Sequence, residues 1–177
     1  MKVTVFEKAE KMGGVVRNVI PGFRISHEAI DHDVELVRAM GAELVNGKEI
    51  TSVDELKKEY DYVVLAVGAS EPGRLRWKQA NMNSIRVLAQ FKATDGKVDL
   101  GKNVVVIGGG NTAMDTARAA KRNAGERKYL WFTERTKRYM PADEEELVMA
   151  IEDGVEFAEL LAPVKLENGE LICRKMQ

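Results

Sequence analysis

The sequence is poor in residues that several classes of protein depend on. It has one cysteine, Cys173, which excludes an internal disulfide framework and argues against an iron–sulfur cluster held by this chain, since such clusters use several thiolates. No apolar run approaches the ~20 residues of a membrane span. The first ten residues also lack the apolar core of a secretory signal. We therefore expect a cytoplasmic protein without a membrane span.

The chain also lacks an excess of one charge, because it has 27 basic and 28 acidic residues. Such a surface has no strong field to attract nucleic acid, so we expect no nucleic-acid partner. The two histidines, His27 and His32, are five positions apart on a predicted helix and share no face, so no metal site is expected. Trp77 and Trp131 are expected to be packing residues.

Short apolar runs alternate with segments of helical periodicity, which predicts an α/β fold with a parallel sheet. The predicted strands are 2–7, 42–46, 48–51, 61–70, 103–107 and 128–133. The predicted helices are 27–40, 52–59, 84–93, 112–123 and 142–153. Ser26 is a candidate N-cap, and the Asn168–Gly169 pair predicts a hairpin turn near the end of the chain.

A glycine-rich turn between a strand and a helix is the strongest functional signal. Gly108, Gly110 and Ala113 fit the pattern Gly-x-Gly-x-x-Ala in that context. In dinucleotide-binding domains the first glycine permits a tight turn, the second lets a pyrophosphate approach, and the small third residue lets the helix pack on the strand. Amides at the helix N-terminus then face the phosphates. The alternative is a tight turn that binds nothing.

The residue that binds the adenosine ribose is expected ~20 positions later, at the end of the next strand. Glu134 follows that strand and is itself followed by Arg135 and Arg138. An acid suits a free 2′-hydroxyl and arginines suit a 2′-phosphate, so this segment leaves NADH and NADPH open. The alternative interpretation is a solvated charged loop. Asp115 either complements the dipole of the glycine-turn helix or positions the nicotinamide ribose or a nearby loop.

A second acid at a strand end suggests another nucleotide site. Glu7 closes the first predicted strand, and Gly13 and Gly14 follow it. An acid that binds a ribose needs a glycine loop ~20 residues earlier, whereas only six residues precede Glu7. Glu7 is therefore either a plain surface acid or part of a site that a larger protein completes.

Four segments in this order resemble the small (beta) subunit of glutamate synthase and related flavin-dependent oxidoreductases. They are VTVFEKAEKMGGVVRNVIPGFRIS, VVLAVGASEPG, GKNVVVIGGGNTAMDTARAAKR and MPADEEELVMAIEDGVEF. In that family an NADPH domain interrupts an FAD domain. The resemblance implies that Glu7 binds the flavin ribose and that Gly13 and Gly14 match the family's glycine pair. It implies that the NAD(P)H motif comprises Gly108, Gly110, Asn111, Thr112, Ala113 and Asp115.

The sequence also departs from the family pattern. The first FAD glycine motif, the N-terminal cluster cysteines and the C-terminal return to the FAD domain are absent from it, so it resembles a fragment. Where relatives carry two arginines after the second strand of the NADPH domain, this sequence has Glu134 and Arg135. The glutamate repels a 2′-phosphate, whereas Arg135 and Arg138 attract it.

These features predict the remnant of an FAD domain with a connector at residues 1–97 and a Rossmann-type NAD(P)-binding domain at 98–177. The resemblance implies a parent enzyme that passes a hydride from NAD(P)H to FAD, and electrons onward to partner domains or subunits with iron–sulfur clusters. We expect this chain to bind NADPH or NADH, to hold no FAD by itself and to be inactive alone. No side chain is assigned to acid–base catalysis.

The alternative from another class is a non-catalytic interaction module with a vestigial nucleotide site. Apolar surface left uncovered on the incomplete FAD-type sheet would favour a homo-oligomer. A dehydrogenase of the short-chain type is a weaker alternative, because no tyrosine–lysine pair has supporting context.

Overall fold

The chain divides into two units, Met1–Glu71 and Pro72–Gln177. The computed structural model describes residues 1–69, 82–123 and 128–177, without the side chains of Lys128 and Tyr129. Trp77 and the last residue of the strand predicted at 61–70 lie outside the described residues. Each unit has its own secondary structure.

The first unit is built on two short parallel strands. Strand β1 (Thr4–Phe6) pairs with β2 (Glu43–Val45), and Val5 lies opposite Leu44. The helices of this unit are α1 (Gly14–Asn18), α2 (His27–Ala39) and α3 (Val53–Leu56). Helix α2 begins as predicted, because the Ser26 hydroxyl accepts a hydrogen bond from the Ala29 amide at 3.2 Å.

Two strands predicted in the first unit do not form in the described residues. Gly47, with φ of 68°, turns the chain directly after β2, and residues 48–51 form no ladder. Residues 61–69 are apolar apart from Asp61, yet Val64 and Val67 are 86% and 83% exposed. A strand exists only where its backbone pairs with a neighbour, and no described strand pairs with residues 61–69.

The second unit contains the strand–turn–helix of the glycine motif. The parallel strands β3 (Asn103–Ile107), β4 (Lys128–Phe132) and β5 (Phe157–Ala158) lie side by side in that order. The helices are α4 (Ser84–Ala93), α5 (Asn111–Arg122) and α6 (Glu144–Glu152). Helix α4 packs against α5. The predicted fold class, α/β with parallel sheets, is confirmed.

The core of the second unit lies between α5, α6 and the β3–β4 pair. Helix α5 is rich in alanine, which lets its backbone approach the sheet closely. The buried cluster consists of Val106, Ala113, Met114, Ala117, Trp131, Leu147, Ala150 and Val155. Because Ala113 and Met114 belong to the first turn of α5, the start of this helix is anchored in the core.

An antiparallel hairpin closes the chain, formed by β6 (Leu161–Glu167) and β7 (Glu170–Lys175). Asn168 and Gly169 join the strands with φ of 52° and 81°. Both values lie in the left-handed region that a two-residue turn of this kind requires. The predicted Asn168–Gly169 hairpin is confirmed.

Candidate functional site

The glycine turn joins the end of β3 to the start of α5. Gly108 has φ of 138°, a conformation that side chains rarely adopt, so glycine is required here. A Cβ on Gly108 would lie 3.4 Å from the Cβ of Ala113. The first glycine and the small residue of the motif therefore pack together, as expected for a tight turn with a close helix.

The next two glycines, Gly109 and Gly110, differ in how much space surrounds them. A Cβ on Gly109 would lie 2.8 Å from Thr133 Oγ1 and 3.3 Å from Met140 Cγ, so protein atoms already fill that position. A Cβ on Gly110 would meet nothing within 4 Å. Gly110 is therefore not required by packing, and the open space above it is what a ligand approaching the backbone needs.

The N-terminus of α5 lies directly behind this open space. Gly110 is the N-cap residue and offers no side chain to cap the helix. Its carbonyl accepts hydrogen bonds from the amides of Ala113 and Met114 at 2.9 and 3.3 Å. The amides of Asn111 and Thr112 precede these, and helix geometry gives them no intrahelical acceptor. Such amides, with the positive end of the helix dipole, suit an anion.

The ends of β3 and β4 meet at one edge of the sheet. Ile107 lies opposite Phe132 in the parallel register, so the glycine turn and the segment after β4 leave the sheet together. Thr133 is buried directly after β4 and is the residue whose hydroxyl faces Gly109. Thr133 therefore connects the glycine turn to the charged loop that follows it.

The charged loop carries Glu134, Arg135 and Arg138, and all three residues are exposed. The Arg135 amide donates to Thr133 Oγ1 at 3.3 Å, and Arg135 Nη1 donates to the Tyr139 carbonyl at 3.3 Å. The structure thus brings this loop to the same sheet edge as the glycine turn. An acid and two arginines are available there to contact a ribose or its phosphate.

Two further predicted residues of α5 have different surroundings. Asn111 is exposed, and its side chain exchanges hydrogen bonds with Asp143 at the start of α6. Asp115 is buried, with 6% of its surface exposed. A buried carboxylate needs charged or hydrogen-bonded partners, because its burial costs free energy otherwise.

Glu7, Gly13 and Gly14 belong to the first unit and form a separate group. Glu7 Oε1 accepts a hydrogen bond from the Ala9 amide at 2.9 Å. Gly13 has φ of 122°, and a Cβ there would lie 2.9 Å from the Cβ of Arg17. Local structure therefore already explains the glycine at position 13, and a role of these residues at a flavin stays a prediction.

Four residues at the candidate site were not identified from the sequence. Gly109 belongs to the turn itself, Thr133 lies next to it, and Asp143 is hydrogen-bonded to Asn111, the first residue of α5. Trp131 was expected to pack, and it does, but its Nε1 also donates to the Gly108 carbonyl at 2.7 Å. The run of three glycines was the one signal that pointed to Gly109.

An ion-pair cluster joins the far end of α5 to the end of α6. Asp153 accepts hydrogen bonds from Arg118 Nε at 2.7 Å and from Arg122 Nη2 at 2.8 Å. Burial raises the pKa of the Asp153 carboxyl, but the hydrogen bonds and charges of Arg122 and Arg118 outweigh it and hold the pKa below its ordinary value. This cluster fixes the two helices whose N-termini meet at Asn111 and Asp143.

Two kinds of feature are absent from residues 1–69, 82–123 and 128–177. Among those residues, no helix has both the length and the apolar character needed to cross a membrane. In the same part of the chain, no three or more histidine, cysteine, aspartate or glutamate side chains cluster as a metal ion would require.

Comparison with known proteins gives a consistent family relationship. The family model described as "Pyridine nucleotide-disulphide oxidoreductase" matches residues 4–162. The chain is 40% identical over 181 residues to YgfK of Escherichia coli (strain K12), covering 98% of this chain and 17% of YgfK. It is 29% identical over 196 residues to the glutamate synthase (NADPH) small chain of the same organism, covering 99% of this chain and 41% of that one.

The chain thus spans less than half the length of these relatives. The predicted resemblance to the small subunit of glutamate synthase is confirmed by the second of them. Among solved structures, a 2-naphthoyl-CoA reductase in complex with 2-naphthoyl-CoA matches with a TM-score of 0.71 at 20% identity, covering 96% of this chain and 26% of that one. At this identity the match supports the fold alone.

Proposed function

Because this chain belongs to the pyridine nucleotide-disulphide oxidoreductase family, we propose that it is the NAD(P)H-binding part of a flavin-dependent oxidoreductase. The observation that carries the proposal is the open space at Gly110, in front of the α5 N-terminus. A pyrophosphate can approach the backbone there, because no side chain occupies that position. The site belongs to the Rossmann-type domain that we place at residues 98–177.

The glycine turn would hold the pyrophosphate through backbone groups. Asn111 and Thr112 contribute the first amides of α5, and Ala113 lets the helix pack close to the turn. The positive end of the helix dipole favours the doubly charged pyrophosphate. Asp115, buried in the same helix, would position the nicotinamide ribose or a loop near it through neighbouring protein groups.

The charged loop would bind the adenosine ribose. Glu134 suits the hydroxyls of NADH, whereas Arg135 and Arg138 suit the 2′-phosphate of NADPH. The glutamate synthase small chain is named for NADPH, which favours NADPH as the nucleotide of this chain. Glu134 opposes that preference. The ratio of the affinities for NADPH and NADH is therefore the quantity to measure for this loop.

The parent enzyme would pass the electrons on through FAD. When bound, FAD accepts a hydride from the nicotinamide and releases electrons singly to iron–sulfur clusters in other domains or subunits. Glu7, Gly13 and Gly14 would contribute to the flavin site in the complete protein, and this chain alone would neither hold FAD nor reduce it. We place this activity in the cytoplasm.

The test is a titration of the purified chain with NADPH and, separately, NADH, followed by nicotinamide fluorescence. Gly110→Ala places a methyl group in the open space, so we expect little change in thermal stability and at least about tenfold weaker binding. Gly22→Ala is the matched control, because that glycine also has nothing within 4 Å of a Cβ and no positive φ. Absence of binding to either nucleotide at millimolar concentration would contradict the proposal.

A second candidate function rests on the apolar segment 61–69 of the first unit. Tyr62, Val64, Leu65 and Val67 are all more than 65% exposed, and exposed apolar runs of this kind favour association. The chain would then be a non-catalytic interaction module that forms homo-oligomers. Sedimentation at several concentrations tests this, with Leu65→Lys as the variant expected to dissociate the oligomer. A monomer at every concentration would exclude it.

A further inference from the structure

Gly108 is held at both of its backbone polar groups by two consecutive residues of β4. Its amide donates to the Phe132 carbonyl at 3.1 Å, and its carbonyl accepts from Trp131 Nε1 at 2.7 Å. The first bond continues the β3–β4 ladder. The second comes from a side chain, so it depends on the residue type at position 131 and is not a consequence of the strand pairing.

We propose that Trp131 is a positioning residue of the nucleotide site, acting through its indole N–H on the Gly108 carbonyl. The inference deepens the proposed function and rests on it for the identity of the ligand. Trp131 is 0% exposed and lies behind the turn. It would not touch the nucleotide but would fix the backbone that the nucleotide contacts.

The peptide unit between Gly108 and Gly109 explains why this hydrogen bond matters. Gly108 has φ of 138° and lacks a side chain, so the intrinsic preferences of the backbone define its orientation poorly. The carbonyl held by Trp131 shares its peptide plane with the Gly109 amide. Fixing the carbonyl therefore fixes the direction of that amide at the entrance of the site.

Two further side chains lie next to Gly109, the residue that contributes the amide of this peptide. The space next to Gly109 is filled by Thr133 Oγ1 and Met140 Cγ. Trp131 and Thr133 belong to the same short stretch of chain, so the end of β4 acts as a template for the turn. A turn ordered in advance loses less conformational freedom when a ligand binds, and this raises affinity.

Packing and hydrogen bonding by Trp131 can be separated experimentally. Its ring packs on Phe157 with centroids 4.3 Å apart, a contact that does not involve the indole N–H. Replacing tryptophan with benzothienylalanine keeps the bicyclic shape but exchanges the N–H for sulfur. Phe157→Leu is the matched control, because it disturbs the packing of Trp131 and leaves the donor in place.

The experiment uses the full chain labelled with ¹⁵N-glycine, and it compares wild type, Trp131→benzothienylalanine, Trp131→Phe and Phe157→Leu. We measure the amide resonances of Gly108, Gly109 and Gly110, the Kd for NADPH and the thermal midpoint. Loss of the N–H should shift the Gly109 resonance and weaken NADPH binding by about two- to tenfold, the range of one neutral hydrogen bond. Phe157→Leu should lower the thermal midpoint and leave the Kd nearly unchanged.

Two outcomes would overturn the proposal. One is an unchanged Gly109 resonance and Kd in the benzothienylalanine variant. The other is equal weakening of NADPH binding by that variant and by Phe157→Leu, which would make Trp131 a packing residue only. If the wild-type chain binds neither NADPH nor NADH, the proposed function fails. The glycine resonances then still decide whether Trp131 holds the turn.

Discussion

Two hydrogen bonds join Asn111 and Asp143, which lie at the starts of two helices. Asn111 Nδ2 donates to Asp143 Oδ2 at 3.1 Å, and the Asp143 amide donates to Asn111 Oδ1 at 3.2 Å. Asn111 is the first residue of α5, and Asp143 is the N-cap residue of α6. The pair orders the start of α5, but it also places a carboxylate near the positive helix end where the pyrophosphate is proposed to bind.

Asp143→Asn should therefore strengthen NADPH binding. The amide keeps an oxygen that can accept from Asn111, while the negative charge near the phosphates is removed. We expect a gain of about two- to fivefold in affinity at low ionic strength, consistent with a charge at a helix terminus. The gain should shrink as salt is added, because exposed charges are screened.

Titration with NADPH at two salt concentrations measures this effect. Glu170→Gln is the control, since it removes one exposed carboxylate at the hairpin turn and should leave affinity nearly unchanged. Weaker binding by Asp143→Asn would mean that the order provided by the pair outweighs its charge.

The local parts of the fold could be predicted from the sequence. A run of valines, three glycines and an alanine-rich helix define β3, the turn and α5 by short-range preferences, and their bounds agree to within one residue. The Asn168–Gly169 turn is determined by its own two residues in the same way. These elements need little information from distant parts of the chain.

The contacts that hold the site could not be predicted in this way. The bond from Trp131 to Gly108 joins residues 23 positions apart, and nothing in the spacing distinguishes it from ordinary packing. At residues 61–69, which the structure describes, the sequence instead predicts an element that does not form. Its composition predicts a buried strand, but burial requires a neighbouring strand, and none of the described residues provides one.

Gly109→Ala should destabilise the second unit, unlike Gly110→Ala. The new methyl group would lie 2.8 Å from Thr133 Oγ1, so the turn or the end of β4 must move. We expect a loss of about 1–3 kcal/mol in the free energy of unfolding, typical of an overpacked site. Urea unfolding measures it.

A double-mutant cycle with Thr133→Ala identifies the cause of that loss. Removing the hydroxyl relieves the closest contact of the new methyl group, so the double variant should lose less stability than the sum of the single ones. Additive losses would show that the clash with Met140 or the turn conformation dominates instead.

Glu134→Gln should shift the nucleotide preference towards NADPH. The substitution removes the charge that repels a 2′-phosphate and weakens the acceptor for a free 2′-hydroxyl. Arg138→Ala should act in the opposite direction by weakening NADPH binding alone. The ratio of the two dissociation constants is the measured quantity, and an unchanged ratio in both variants would remove this loop from the site.

Asp153→Asn should lower the stability of the second unit at neutral pH and lose that effect in acid. Arg118 and Arg122 hold the pKa of Asp153 below its ordinary value despite burial. A carboxyl with a lowered pKa in the folded state stabilises the fold above its unfolded pKa, about 3.9, and this stabilisation disappears as pH falls through the folded-state pKa.

We therefore expect Asp153→Asn to reduce the free energy of unfolding by about 2 kcal/mol at pH 7, since it removes the carboxylate that pairs with Arg118 at 2.7 Å and with Arg122 at 2.8 Å. The difference from wild type should be constant down to about pH 5 and shrink below about pH 4. Urea unfolding followed by tryptophan fluorescence at each pH provides the measurement. The control is Glu167→Gln, which breaks an exposed pair with Lys165 in the same unit and should cost less than about 0.5 kcal/mol. A difference for Asp153→Asn that persists unchanged at pH 3 would show that the cost comes from altered packing of α5 on α6 and not from the charge.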